Sequence, residues 1–315
     1  MKPTLPLLSL TLLGLHVETQ TQAASTSQAP IASPDSDSDF VCSHPPYKVH
    51  LVSTSPLIIY IKDFLTEAER AHLKKVRLVS SSQVAPGLES TNTTTTITSN
   101  HRVTNIPPLT AKSKNKFHPS AVADGTKSAR RTSQSTYIPR DATVHCIETR
   151  ALSFQGLSTP RTHLEPLQLV KYVPGEHYHQ HTDWFASPAY TLASAGGNRA
   201  SSFFTYVHVG NETTGGGTNF PLVDFPRDEM NAAGGPGRWC EVLDCDEPWE
   251  RGITFRPVEG NAIYWQNLLT DGRGDPRTLH AGLPVTTGDK IGMNIWTRQA
   301  PLSEEVRGVD VYPDL

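Results

Sequence analysis

The sequence lacks any surplus of positive charge: 28 Lys and Arg stand against 31 Asp and Glu, a formal net charge of -3. No field exists to concentrate a polyanion, so nucleic acid is excluded as an expected partner. Its four cysteines, Cys42, Cys146, Cys240 and Cys245, include no Cys-x-x-Cys pair, which argues against a structural zinc site. In an oxidising compartment Cys240 with Cys245, and Cys42 with Cys146, can instead form disulfides. The N-terminal apolar run from Pro6 to Leu15 falls short of the roughly 20 residues of a membrane-spanning helix. Residues 1–24 are therefore expected to be a signal peptide cut near Ala23 or Ala24, with a short anchor as the alternative. After cleavage no membrane attachment is expected. The expected location is the endoplasmic reticulum lumen or the secreted space. Since Pro313-Asp314-Leu315 is no lumenal retrieval signal, retention is expected to need a partner or an oligomer.

What the sequence does have is turns, with 25 Pro and 22 Gly, the texture of short strands. Residues 25–45, rich in Ser, Pro and Asp, read as a flexible leader. A domain is expected over 46–300 and a tail over 301–315. The β-branched run Leu57 to Ile61 predicts a strand. Thr66 and Glu69 form a capping box that starts a helix running to Leu78. Residues 80–131 lack periodicity and read as long loops. A second helix is expected from Asp141, with Val144, Ile147, Ala151 and Phe154 on one face. Strands are then expected at Leu167–Tyr172, His177–Phe185, Ser202–Val209, Gly252–Phe255, Ala262–Trp265 and Lys290–Thr297. With no helices between them, antiparallel pairing in a barrel or sandwich follows. Asn92-Thr93-Thr94 and Asn211-Glu212-Thr213 are glycosylation sequons, meaningful only in a lumenal setting.

The chemistry gathers at His181-Thr182-Asp183. On a strand, alternate residues share a face, so an imidazole and a carboxylate converge. His280 offers a third ligand from a later strand. Two histidines and one carboxylate on one face of an octahedron leave three open positions, the arrangement with which iron(II) oxygenases hold a chelating cosubstrate and dioxygen. His179, His181 and Asp183 form a competing zinc cluster, and spacing leaves both open.

Blocks around these residues resemble the prolyl 4-hydroxylase catalytic domain, in the same order. They are Leu167 to Gly175 leading into Tyr178 and His181-x-Asp183, then Gly215-Gly216-Gly217-Thr218, with Gly217 where that family has an acid. Phe255 to Ala262 with Tyr264-Trp265 follows, and then His280 to Val285, Gly288-Asp289-Lys290 and a strand ending in Trp296. Arg131-Thr132-Ser133 and Glu148-Thr149-Arg150 also match. The likeness spans roughly Leu57 to Arg298.

The resemblance implies a mainly β fold with flanking helices, built on a double-stranded β-helix or jelly roll. It implies Fe(II), 2-oxoglutarate and L-ascorbate as cofactors, with His181, Asp183 and His280 as metal ligands. Lys290 matches the residue for the cosubstrate's distal carboxylate, and a buried dianion does need a fixed cation. Strand alternation places Lys290, Asn294 and Trp296 on one face. Tyr172, Tyr206 and Trp296 are the further cosubstrate-binding candidates. The implied reaction hydroxylates proline in a peptide or protein while 2-oxoglutarate becomes succinate and carbon dioxide. A free amino-acid or small-molecule hydroxylase on the same fold, and a catalytically silent metal-binding barrel, stand as alternatives.

Overall fold

β-branched and aromatic residues in alternation build the frame, and the faces they bury decide its layers. The computed structural model describes residues 41–75, 117–120, 129–156, 158–224, 237–246 and 251–308. Among these run β1 (Lys48–Thr54), β2 (Leu57–Lys62), α1 (Glu67–Lys75), β3 (His118–Pro119), β4 (Gln134–Tyr137), α2 (Ala142–Phe154), β5 (Gln168–Tyr172) and β6 (Tyr178–His181). There follow β7 (Arg199–Val209), β8 (Thr214–Gly215), β9 (Thr218–Phe220), β10 (Ile253–Phe255), β11 (Ala262–Gln266), β12 (His280–Gly282), β13 (Val285–Thr287) and β14 (Lys290–Arg298). An eight-stranded sheet has the order β1-β2-β11-β7-β14-β5-β4-β3, and a four-stranded one the order β10-β9-β12-β6. Every pairing in them is antiparallel.

The two faces of the large sheet bury different things. Ile291, Met293 and Ile295 of β14 join Phe203, Val207 and Tyr264 in a core closed by Leu73 of α1 and Val144, Ile147 and Ala151 of α2. The opposite face sends Phe204, Tyr206, Ile263 and Trp265 against Phe220, Ile253 and Phe255 of the small sheet. Helices thus cover one face and a second sheet the other, the double-layered jelly roll expected. Residues Arg130 to Thr132 close one seam. They run antiparallel along β6 through an Arg131–Tyr178 bridge before entering the large sheet as β4.

Both helix starts hold. The Thr66 amide donates to Glu69 Oε2 at 2.8 Å while Thr66 Oγ1 accepts from the Glu69 amide at 3.2 Å. Asp141 accepts from the Val144 amide at 2.9 Å. Both expected disulfides, Cys42–Cys146 and Cys240–Cys245, are present.

Other expectations change. His118–Pro119, expected within a long loop, pairs with β4. The expected tail packs to residue 308: Leu302, Val306 and Arg307 are buried, the last with its guanidinium 3.3 Å from Glu148. The strand expected over His177–Phe185 ends at His181. The expected signal segment, most of the leader, Asn92 and most of the 80–131 stretch lie outside the described residues.

Candidate active site

β12 lies beside β6 with His280 directly opposite His181, and the two rings sit 4.2 Å apart. Asp183 is not on the strand, contrary to the alternation argument. The chain turns at Thr182, and the turn carries the carboxylate toward the large sheet. There Asp183 Oδ2 accepts from Ser202 Oγ at 2.7 Å and from the Trp296 indole at 3.0 Å. The ligand atoms of His181, Asp183 and His280 all lie within 4.8 Å of one another.

Several observations fit this triad to a metal. His181 Nε2 is 3.9 Å from Asp183 Oδ1, and His280 Nε2 is 4.0 Å from Oδ2. Two ligands each about 2.1 Å from one ion can lie no more than roughly 4.2 Å apart, so both gaps are within reach of one ion, and a facial arrangement would draw the side chains closer together. His181 Nδ1 donates to the His179 carbonyl at 2.8 Å and His280 Nδ1 to the Thr278 carbonyl at 2.9 Å. A carbonyl can only accept, so each Nδ1 carries the proton and each Nε2 presents a lone pair. Burial, reinforced by His280, holds the His181 imidazole well below its ordinary pKa and so neutral. Burial pushes the Asp183 carboxyl up, but His280, Arg199, His181 and the Ser202 hydroxyl together outweigh it and keep the group ionised. The charge states are those a divalent cation requires.

The competing zinc cluster does not form. His179 is exposed and meets the His177 ring edge-on at 4.4 Å. Among the described residues the other group with metal-ligand proximity is Cys42–His44–Cys146, whose two thiols are joined in a disulfide.

Lys290 is fully buried, and its ammonium donates to the Gly216 carbonyl and lies 4.6 Å from the centre of the Tyr172 ring. No described carboxylate comes within ion-pairing distance of it, and burial lowers its pKa to about 7. Tyr172 and Tyr206 are buried as well. Tyr172 lies between Lys290 and Gly282, two residues past His280, with its hydroxyl 3.4 Å from where a Gly282 Cβ would sit. Burial raises both phenols, so each stays protonated. Tyr206 shares a hydrogen bond of 2.8 Å with Thr218. Trp296, expected beside the cosubstrate, instead spends its one polar atom on Asp183 and lies under the Arg199 guanidinium at 3.6 Å. Arg131 sits over the Tyr178 ring at 4.6 Å, whereas Glu148 and Arg150 are buried in ion pairs with Arg140 and Glu69.

Sequence reasoning missed Ser202, Asn267 and Arg199. Ser202 shares the inward face of β7 with Tyr206, a signal that alternation offered. Asn267 lies just past a strand end, where no periodicity reaches.

Residues 167–298 match the model of the 2OG-Fe(II) oxygenase superfamily. All seven candidate site residues fall inside the matched stretch. The match over this stretch, together with the similar prolyl 4-hydroxylases, supports a dioxygenase enzyme, and the matched superfamily implies Fe(II) and 2-oxoglutarate. Prolyl 4-hydroxylase 1 of Arabidopsis thaliana is 28% identical over 260 residues, 81% of this chain and 74% of that protein. Prolyl 4-hydroxylase 2 of the same plant is 32% identical over 196 residues, 60% of this chain and 61% of its own length. A viral collagen prolyl hydroxylase from Paramecium Bursaria Chlorella virus-1 is 18% identical, with a TM-score of 0.46 over 76% of this chain and 95% of that one.

Proposed function

We propose that this oxygenase hydroxylates proline within a peptide or protein, with His181, Asp183 and His280 holding Fe(II) and Lys290 anchoring 2-oxoglutarate. The observation that carries the reading is the pairing of a two-histidine, one-carboxylate triad with a buried ammonium that has no carboxylate partner among the described residues, both inside one barrel. When bound, Fe(II) and 2-oxoglutarate supply oxidative decarboxylation to succinate and carbon dioxide, with one oxygen atom of dioxygen entering a substrate C–H bond.

The chain's own residues do the rest. Ser202 and Trp296 fix the Asp183 carboxylate, and the Thr278 and His179 carbonyls set the tautomers of the two histidines. Lys290 and the protonated Tyr172, both buried, give a dicarboxylate a fixed far end away from solvent, where a hydrated ammonium would be a poor anchor. Burial of the aromatic lining excludes water, which protects against unproductive oxidation. Peptidyl proline as substrate is supported by the prolyl 4-hydroxylases among the relatives. A half-open groove of about 420 Å3 beside β6 and β12 is lined by His177, Tyr178, His179 and Leu283, with Gln180 and Ala281 adjoining the two histidine ligands in sequence. Ascorbate, as the reductant that restores oxidised iron, belongs to the same reading.

We also place the protein in the secretory pathway. All four cysteines are paired, and Asn211 of its sequon is exposed on the turn after β7, as lumenal chemistry requires. Secretory expression should yield an Asn211 peptide that changes mass on glycosidase treatment; an unmodified peptide refutes this location.

The activity test supplies purified protein with Fe(II), 2-oxoglutarate and ascorbate, and follows succinate and added oxygen with a proline-rich peptide, free proline or nothing. Peptide-dependent turnover, lost in His280→Ala, is expected. Turnover with free proline alone favours the small-molecule reading, and metal uptake without turnover favours a silent barrel.

A further inference from the structure

Asp183 stands on a loop and His280 at the start of β12, and both are tied to one buried residue that touches neither ligand. Asn267 is fully buried just beyond β11. Its backbone amide donates to the Ala200 carbonyl at 2.9 Å, fixing it to the edge of β7. Its side-chain amide donates to Ser202 Oγ at 2.8 Å, and Ser202 donates in turn to Asp183 Oδ2 at 2.7 Å. The direction is forced. An ionised carboxylate only accepts, so it takes the single Ser202 proton, and Ser202 can then receive only from a donor, the Asn267 NH2.

The backbone of Asn267 leads to the other ligand. Its carbonyl accepts from the Asp275 amide at 2.8 Å. The Asp275 carbonyl accepts from Thr278 Oγ1 at 2.7 Å, and from the indole of Trp184, the residue after Asp183, at 3.1 Å. The Thr278 carbonyl then orients His280 through Nδ1. Asn267 Oδ1 is buried with no partner among the described residues. An orphaned acceptor is expensive, so the residue is not held there by its own side-chain stability; its donor is what the site uses.

We infer that Asn267 is a positioning residue of the metal centre: through Ser202 it orients the Asp183 carboxylate, and through Asp275 it holds the loop that delivers His280. The inference rests on the reading of the triad as a metal site. Outer groups of this kind typically change metal affinity by roughly 10- to 100-fold.

The test is equilibrium binding of Co(II), an oxygen-stable probe, to the whole protein by calorimetry, beside thermal melts without metal. Asn267→Asp keeps the shape and removes the donor, and should weaken binding roughly tenfold or more. Ser202→Ala should weaken it comparably. Ser202→Thr, which keeps the hydroxyl, should restore it. In the double variant the two losses should not multiply, because each breaks the same chain of hydrogen bonds. Ser202→Ala and Ser202→Thr carry the test if Asn267→Asp fails to fold. Wild-type affinity in Asn267→Asp or Ser202→Ala, or losses that multiply, overturns the inference. A wild-type protein that takes up no Co(II) overturns the metal reading itself, a separate result.

Discussion

Lys290 is buried with no carboxylate among the described residues to pair with it, and two opposed effects follow from that one residue. Burial lowers its pKa to about 7, while the unfolded chain holds the same proton to the ordinary lysine value near 10.4. Between these limits the unfolded state binds more protons, so stability of the free protein should rise with pH from about 7 upward through this group. Lys290→Met should remove that part of the pH dependence and raise the melting temperature of the free protein at pH 6, because an apolar side chain replaces a desolvated charge. Melts across pH check this, and an unchanged pH dependence in the variant would refute it. The cosubstrate acts in the opposite direction. A carboxylate beside the ammonium restores its proton, so binding of 2-oxoglutarate at pH 8 should take up roughly one proton. Calorimetry in buffers of different ionisation heat measures that uptake. Lys290→Ala should lose it and raise the KM for 2-oxoglutarate more than it lowers kcat.

At the scale of elements, the four-stranded sheet shows what a short strand hides. The nine residues of β14 announced their faces: Ile291, Met293 and Ile295 went to the helix side and Lys290 and Trp296 inward, as alternation required. β9, β10 and β12 have three residues each, too few to carry a period; β9 went unread, and β12 was expected only as the later strand that bears His280, without bounds. Asp183 was found for a partly wrong reason. Its neighbour His181 ends the strand, and hydrogen bonds from Ser202 and Trp296, which come from distant parts of the sequence, place the carboxylate. Gly217, where the resembling family has an acid, has a local explanation. A Cβ there would lie 2.6 Å from Thr254 Cγ2 and 3.0 Å from the Phe255 carbonyl, both on β10. Gly217→Ala should therefore cost about 1–3 kcal/mol, as overpacking does, and Gly217→Glu more. Denaturant unfolding decides it; a neutral Gly217→Glu would mean that β10 moves aside freely.

At the scale of the whole molecule, the two disulfides test how the N-terminal segment is held. Their pairing was legible as a possibility because four cysteines and few close spacings leave few choices, but sequence alone could not show what surrounds them. Cys42–Cys146 joins residues 104 apart, whereas Cys240–Cys245 joins residues 5 apart. Loop entropy predicts that the first stabilises by about 4.7 kcal/mol and the second by roughly 2 kcal/mol. The long link has a non-covalent companion. Arg150, one turn beyond Cys146 on α2, donates to the Ser43 carbonyl at 2.7 Å in a partly buried contact, and to Glu69 and the Phe64 carbonyl in buried ones. With the disulfide removed, that guanidinium still ties residue 43 to α2, and the loss should fall below the entropic figure. Cys42→Ser with Cys146→Ser should thus cost about 2–4 kcal/mol. Adding Arg150→Met should cost more than the sum of the two changes measured separately, because either tie alone keeps Ser43 in place. Unfolding of the four variants by denaturant measures the coupling; strictly additive losses would show that the segment is held by the covalent link and the ion pair independently.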